Sequence, residues 1–187
     1  MKRVCIFCGS SAGRRPSYGA AARRLGRLLG SRGMTLVYGG GSFGMMGEIA
    51  DAALAAGAAV IGVIPEGLVE RELAHQGLTE LHVVPSLHRR KQMMADLAEG
   101  FIALPGGMGT LDELSEVWTW AQLGLHDKPL GLLEVDGYFA SLLAFFDHAV
   151  AEGFLPAADR GLVAVDSDPG RLLDIMAERR AAKPGTS

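Results

Sequence analysis

The sequence predicts an α/β protein: a Rossmann-like doubly wound open sheet, mostly parallel, with helices on both faces. Three observations carry this. Short, largely apolar runs, such as residues 2–7 and 58–64, read as strands buried on both faces, the mark of a parallel sheet. Helical patterns separate these runs from end to end, as right-handed crossovers require. The 187 residues are too few for a closed α/β barrel, so the sheet is open.

The elements follow in order. Residues 2–7 form the first strand. A helix over 18–32 follows, with Ser17 as its N-cap and Gly33 as its stop. Residues 35–38 are a short strand running into Gly39-Gly40-Gly41-Ser42, then a helix over 45–56. Residues 58–64 are a strand ended by Pro65, and the polar stretch 66–77 reads as a mobile loop. Strands at 81–84, 100–104, 129–135 and 162–165 alternate with helices at 87–97, 110–123, 138–152 and 169–180. One nucleotide-binding domain is expected over 1–180, with a disordered tail at 181–187.

Composition narrows the function. Hydrophobic residues make up 49% of the chain and charged residues 21%, enough for a sizeable core. The net charge of -3 gives no basic face for nucleic acid. No apolar run suits a signal peptide or a membrane span, so a cytoplasmic protein without membrane partners is expected. The pair Cys5 and Cys8 has redox spacing, but it sits in a strand rather than at a helix N-terminus. A buried structural role is the better reading. The five histidines offer no close ligand pair, so no metal is expected, and no cofactor.

Ligands of an open α/β sheet bind beyond the carboxyl ends of the strands. Three glycine segments fall there: Gly9-Ser10-Ser11, Gly39 to Gly47, and Pro105-Gly106-Gly107-Met108-Gly109-Thr110. Two lead straight into helices, where unpaired amides and the helix dipole favour an anion. Gly39-x-Gly41-x-x-Gly44 fits a dinucleotide fingerprint but follows the second strand instead of the first, and no lysine follows a glycine loop as a P-loop needs. The basic run His88-Arg89-Arg90-Lys91 and the acids Asp112, Glu113 and Glu116 open the neighbouring helices. Each has an ordinary reading, as a solvated face or as dipole compensation. Beside a phosphate loop they read as binding and catalytic groups.

Pro105-Gly106-Gly107-Met108-Gly109-Thr110-Leu111-Asp112-Glu113 matches the P-G-G-x-G-T-x-x-E motif of the LOG family, the cytokinin riboside 5′-monophosphate phosphoribohydrolases, many labelled "lysine decarboxylase-like". Gly44-Met45-Met46-Gly47, Arg90-Lys91 with Met94, and the stretch from Trp120 to Pro129 also resemble the family, over nearly the whole chain. The resemblance implies hydrolysis of the N-glycosidic bond of adenosine 5′-monophosphates, plain or N6-substituted. It implies Arg90 and Glu113 as catalytic. It implies substrate contacts at Ser10, Gly39, Gly40, Gly41, Glu72, Lys91, Gly106, Gly107, Met108, Gly109, Thr110, Leu111, Asp112 and Thr119. A homodimer with its site near the interface is implied too. Glu113 would stabilise an oxocarbenium-like sugar or take a proton from water, and the residues leave both roles open.

Two rivals remain. A pyridoxal-dependent decarboxylase needs a Schiff-base lysine, for which Lys91 is the sole candidate by position. A non-catalytic carrier of a nucleotide or of a molybdenum-cofactor-like pterin would use the same loops without the Arg90 and Glu113 pair.

Overall fold

The computed structural model describes residues 1–69 and 74–182. Seven strands form one sheet: β1 (Arg3–Phe7), β2 (Thr35–Tyr38), β3 (Val60–Pro65), β4 (Glu80–Val84), β5 (Phe101–Ala103), β6 (Leu130–Leu133) and β7 (Val163–Asp166). Their order is β4-β3-β2-β1-β5-β6-β7, and every pairing is parallel. The expected doubly wound sheet is present, and parallel throughout. The order reverses between β1 and β5, where Cys5, Ile6 and Phe7 lie opposite Phe101, Ile102 and Ala103. A crevice opens at such a reversal, because successive crossovers leave toward opposite faces.

Seven helices cover the two faces: α1 (Pro16–Ser31), α2 (Gly44–Ala55), α3 (Leu87–Leu97), α4 (Met108–Gln122), α5 (Ala140–Ala151), α6 (Ala157–Arg160) and α7 (Pro169–Ala181). Strand side chains alternate between two cores. Val4, Ile6, Leu36 and Ile102 pack against α1, α2 and α7 through Leu25, Ile49 and Leu172. Cys5, Phe7, Val37 and Phe101 pack against α3 and α4 through Met94, Leu114 and Trp118. Each such side chain, fully buried, contributes about 1.5–3 kcal/mol.

Several boundaries differ from expectation for identifiable reasons. Helix α1 begins at Pro16, after Arg15 as N-cap, because the fixed φ of proline suits the first helical position. Ser17 Oγ instead donates to Asp136 Oδ2 at 2.5 Å. Strand β3 includes Pro65, its last residue, opposite Val84. A 3-10 turn, Glu66–Leu68, opens the stretch expected to be a mobile loop. Helix α4 starts at Met108, two residues early, and α5 at Ala140, two residues late. The short α6 was not anticipated. Helix α7 extends through Ala181 with Ala182 as its C-cap, and the rest of the expected tail, 183–187, lies outside the described residues.

Cys5 and Cys8 fall in opposite cores, both buried and both free. Burial pushes the two thiols well above the ordinary cysteine range, and the nearby charge of Glu113 adds to it. A thiol so placed is a poor nucleophile. Ellman's reagent at neutral pH is therefore expected to label Cys5 in the folded protein only as fast as it unfolds. Rapid labelling of Cys5 without loss of structure would contradict this burial.

Candidate active site

The crevice between the β1 and β5 loops has a volume of about 260 Å³. Cys8, Gly9 and Ser10 line it from the end of β1, Met46 from α2, Leu87, Arg90 and Lys91 from α3, and Gly107 to Thr110 with Asp112 and Glu113 from α4.

Helix α3 sets the basic wall. Ser86 caps it, its side chain accepting from the Arg89 amide at 3.2 Å, so the residues just inside face the crevice from a fixed turn. Arg90 is 7% exposed, unusual for an arginine. Its guanidinium lies over Gly39, where a Cβ would collide with Nη2. Gly39 is thus needed for a close approach. Arg90 Nη2 lies 3.5 Å from Glu113 Oε1, with the two side chains 9% and 12% exposed. Removing one partner of a pair this buried leaves an uncompensated charge, which costs about 3–5 kcal/mol.

Two further contacts link the same two helices. Lys91 Nζ lies 3.0 Å from Asp112 Oδ2 and 3.2 Å from Glu116 Oε1. Partial burial disfavours the ammonium. Hydrogen bonds and charge from the two carboxylates outweigh this and hold Lys91 above the ordinary lysine range. A Schiff-base lysine must be a free amine at neutral pH, so this pairing opposes the decarboxylase reading.

Helix α4 supplies the anion-accepting end. Its N-cap is Gly107, with no side chain to cap the first turn, and Gly107 O accepts from the Leu111 amide at 3.2 Å. The first amides of a helix lack intrahelical partners, and here the residues that carry them, Gly107 to Thr110, line the crevice with the helix dipole behind them. The start of α2 is different. Its Met45 amide donates to Gly9 O at 3.1 Å, so that turn is committed to the β1 loop. Of the two glycine loops leading into helices, the β5 loop brings Gly107 to Thr110 to the crevice lining, whereas the start of α2 brings Met46.

Of the residues predicted for the site, Ser10, Arg90, Lys91, Gly107, Met108, Gly109, Thr110, Asp112 and Glu113 meet in this crevice. Gly39 lies beneath Arg90. Gly40 packs toward Ile64 and Leu81, and Gly41 bridges to Ala74, so neither lines it. Gly106 faces a neighbouring crevice with Tyr138. Leu111 is half-buried on α4 outside the lining, and Thr119 lines a small groove with Trp118 and Phe146. Glu72 lies outside the described residues. Cys8, Met46 and Leu87 line the crevice without having been singled out for it. Each ends a strand or opens a helix at the carboxyl edge, which was the available signal. Among the described residues no group of three or more His, Cys, Asp or Glu side chains forms a metal site.

The fold and this crevice define a doubly wound α/β protein with an anion-ready helix end and a buried Arg–Glu pair at its switch point. The chain belongs to the family described as "Possible lysine decarboxylase", whose model matches residues 46–176. Its relatives in that family include the cytokinin riboside 5′-monophosphate phosphoribohydrolase LOG1 of Arabidopsis thaliana. That protein is 55% identical over 162 residues, 87% of this chain and 76% of the relative. The probable enzyme of the same name LOGL5 of Oryza sativa subsp. japonica is 56% identical over 164 residues, 87% and 67% of the two chains. Among solved structures, the molybdenum cofactor binding protein of Rippkaea orientalis superposes with a TM-score of 0.71 at 22% identity, over 95% of this chain and 97% of that one. At that identity the likeness is one of fold.

Gly39→Ala tests the packing under Arg90. The colliding atom ends a flexible side chain, so the fold is expected to survive while the guanidinium moves. A crystal structure of the variant should show Arg90 and Glu113 parted beyond ion-pair distance. An unchanged contact would contradict the role given to Gly39.

Proposed function

We propose that this chain hydrolyses the N-glycosidic bond of adenosine 5′-monophosphates, N6-substituted or plain, giving the free adenine-type base and ribose 5-phosphate. The observation that carries the reading is the Arg90–Glu113 contact of 3.5 Å in a crevice floored by the open end of α4. The names of the plant relatives, at more than half identity, support the same reaction.

In this reading the 5′-phosphate sits on the amides of Gly107 to Thr110, with Ser10 and Lys91 at its edges. Holding the phosphate remotely fixes the sugar, so binding energy is spent on orientation. The bond between C1′ and the base nitrogen breaks, and positive charge develops on the sugar. The Glu113 carboxylate stabilises that charge. Water then bonds to C1′ and gives a proton to Glu113, while the departing base takes one from solvent. Arg90 holds Glu113 in place and contacts the ribose or phosphate oxygens, for which a planar donor fork is suited. The step needs neither a metal nor an organic cofactor. Gly40, Gly41, Glu72 and Thr119 stay as proposed contacts from the family motif.

The active form in this proposal is a homodimer acting on a nucleotide, in the cytoplasm, without nucleic acid or membrane as partner. Exposed Met108, Leu123, Leu125, Phe145 and Phe154, on and beyond α4 and α5, supply apolar surface for such an interface. The free thiols of Cys5 and Cys8 suit a reducing compartment. No helix among the described residues is long and apolar enough to cross a membrane. One nucleotide-binding domain accounts for the whole arrangement.

Incubation with AMP and with N6-isopentenyladenosine monophosphate tests the reaction. Wild type is expected to release free base and ribose 5-phosphate, and Glu113→Gln to lose about 10²–10³ in kcat, the cost of removing an electrostatic stabiliser. Retained nucleotide with no released base, from wild type, would overturn the proposal.

A further inference from the structure

A second crevice adjoins the first and shares Gly9, Ser10 and Gly107 with it. It has a volume of about 300 Å³ and is lined by Ser10, Ser11, Tyr18, Met45, Gly106 and Tyr138 among others. Within it the Tyr138 hydroxyl donates to the Gly106 carbonyl. We propose that Tyr138 is a positioning residue of the β5 loop. It holds the Gly106–Gly107 peptide so that the Gly107 amide faces the anion in the first crevice. The inference rests on the proposed reading that a 5′-phosphate sits at the start of α4.

The argument starts from the peptide unit. In a trans peptide the carbonyl and the following N–H point in opposite directions, and the described chain has no cis peptide. A Gly106 carbonyl drawn back toward Tyr138 therefore aims the Gly107 N–H forward, into the crevice that Gly107 lines. With glycine on both sides, little steric resistance stops this peptide from turning over. Turned over, it would present a carbonyl oxygen to the phosphate, replacing an attraction with a repulsion. Gly106 itself has no room for a side chain, since a Cβ would collide with Thr110 Oγ1. The phenol supplies a hydrogen-bonded restraint on this peptide.

Tyr138 is in turn built to reach that carbonyl. It ends a tight turn in which its amide donates to Val135 O at 3.0 Å. Asp136 and Gly137, the turn's central residues, have φ of 52° and 76°, the sign pattern of a type I′ turn. Asp136 is the one non-glycine residue with positive φ among the described residues. Its strained position is secured from α1: Ser17 Oγ donates to Asp136 Oδ2 at 2.5 Å, and Arg15 Nη1 to Asp136 O at 3.2 Å. The Tyr138 ring stands edge-on to Tyr18 at 5.6 Å and to Phe139 at 5.0 Å between centroids. These contacts fix the ring and leave the hydroxyl directed at Gly106. Strained turns that persist under such restraint concentrate where geometry serves function.

Tyr138→Phe removes the hydroxyl and keeps the ring against Tyr18. In a Glu113→Gln background, where the nucleotide survives, the Kd for AMP is expected to rise about three- to tenfold, the scale of one hydrogen bond. The Kd for adenosine, which has no phosphate, should stay the same. With Glu113 intact, the KM for AMP should rise by the same factor while kcat and the thermal midpoint hold. An unchanged AMP affinity would overturn the proposal. Parallel losses for AMP, adenosine and thermal midpoint would also overturn it, by showing a purely structural role. If the wild type binds AMP but never cleaves it, the hydrolase reading fails and the comparison of Kd values still decides the role of Tyr138. If it binds no nucleotide, both fail.

Discussion

The buried contact between Arg90 and Glu113 is the constraint around which this carboxyl edge is organised. Two charged groups, 9% and 12% exposed, sit 3.5 Å apart beside the apolar, buried ends of β1 and β5. Taking them out of water is costly, and their mutual attraction offsets that cost only in good geometry. The surrounding structure supplies that geometry. A capped α3 presents Arg90, a glycine beneath it gives the guanidinium room, and α4 presents Glu113 from its second turn. The Lys91 contacts to Asp112 and Glu116 run beside it and tie the same two helices together. A pair held in this way is a preorganised charge arrangement. It needs little reorganisation when charge develops on a bound sugar.

The three glycine segments at this edge divide the labour. The first, after β1, shapes the wall between two crevices. The second, after β2, gives room to Arg90 and commits the first turn of α2 to the β1 loop. The third, after β5, brings the start of α4, uncapped by any side chain, to the crevice lining. Similar composition in the three segments therefore conceals different tasks. What separates them is which amides already have partners, a property of the packed structure.

That difference marks the limit of what the sequence discloses. Sheet class and the order of the strands were legible, because both-face burial forces continuous apolar runs and crossovers force alternation. The 87–97 bounds of α3 were legible as well, and the structure shows Ser86 capping its start. The start of α4 was not. Its cap is Gly107, which has no side chain to signal the role, so Thr110 looked like the better beginning. The start of α1 was misplaced because Pro16 at the first helical position outweighed Ser17 as a cap. Arg90 and Glu113 were named through the motif they share with a family, whereas their contact belongs to the fold. Gly39 under Arg90 and Tyr138 on the Gly106 carbonyl join residues far apart in sequence, and no local pattern announces either one.

A crystal structure of the Glu113→Gln variant with AMP bound tests the central claim most directly. The account predicts the phosphate on the amides of Gly107 to Thr110 and the anomeric carbon beside residue 113 and Arg90. A phosphate seated at the start of α2, or a sugar turned away from residue 113, would contradict it.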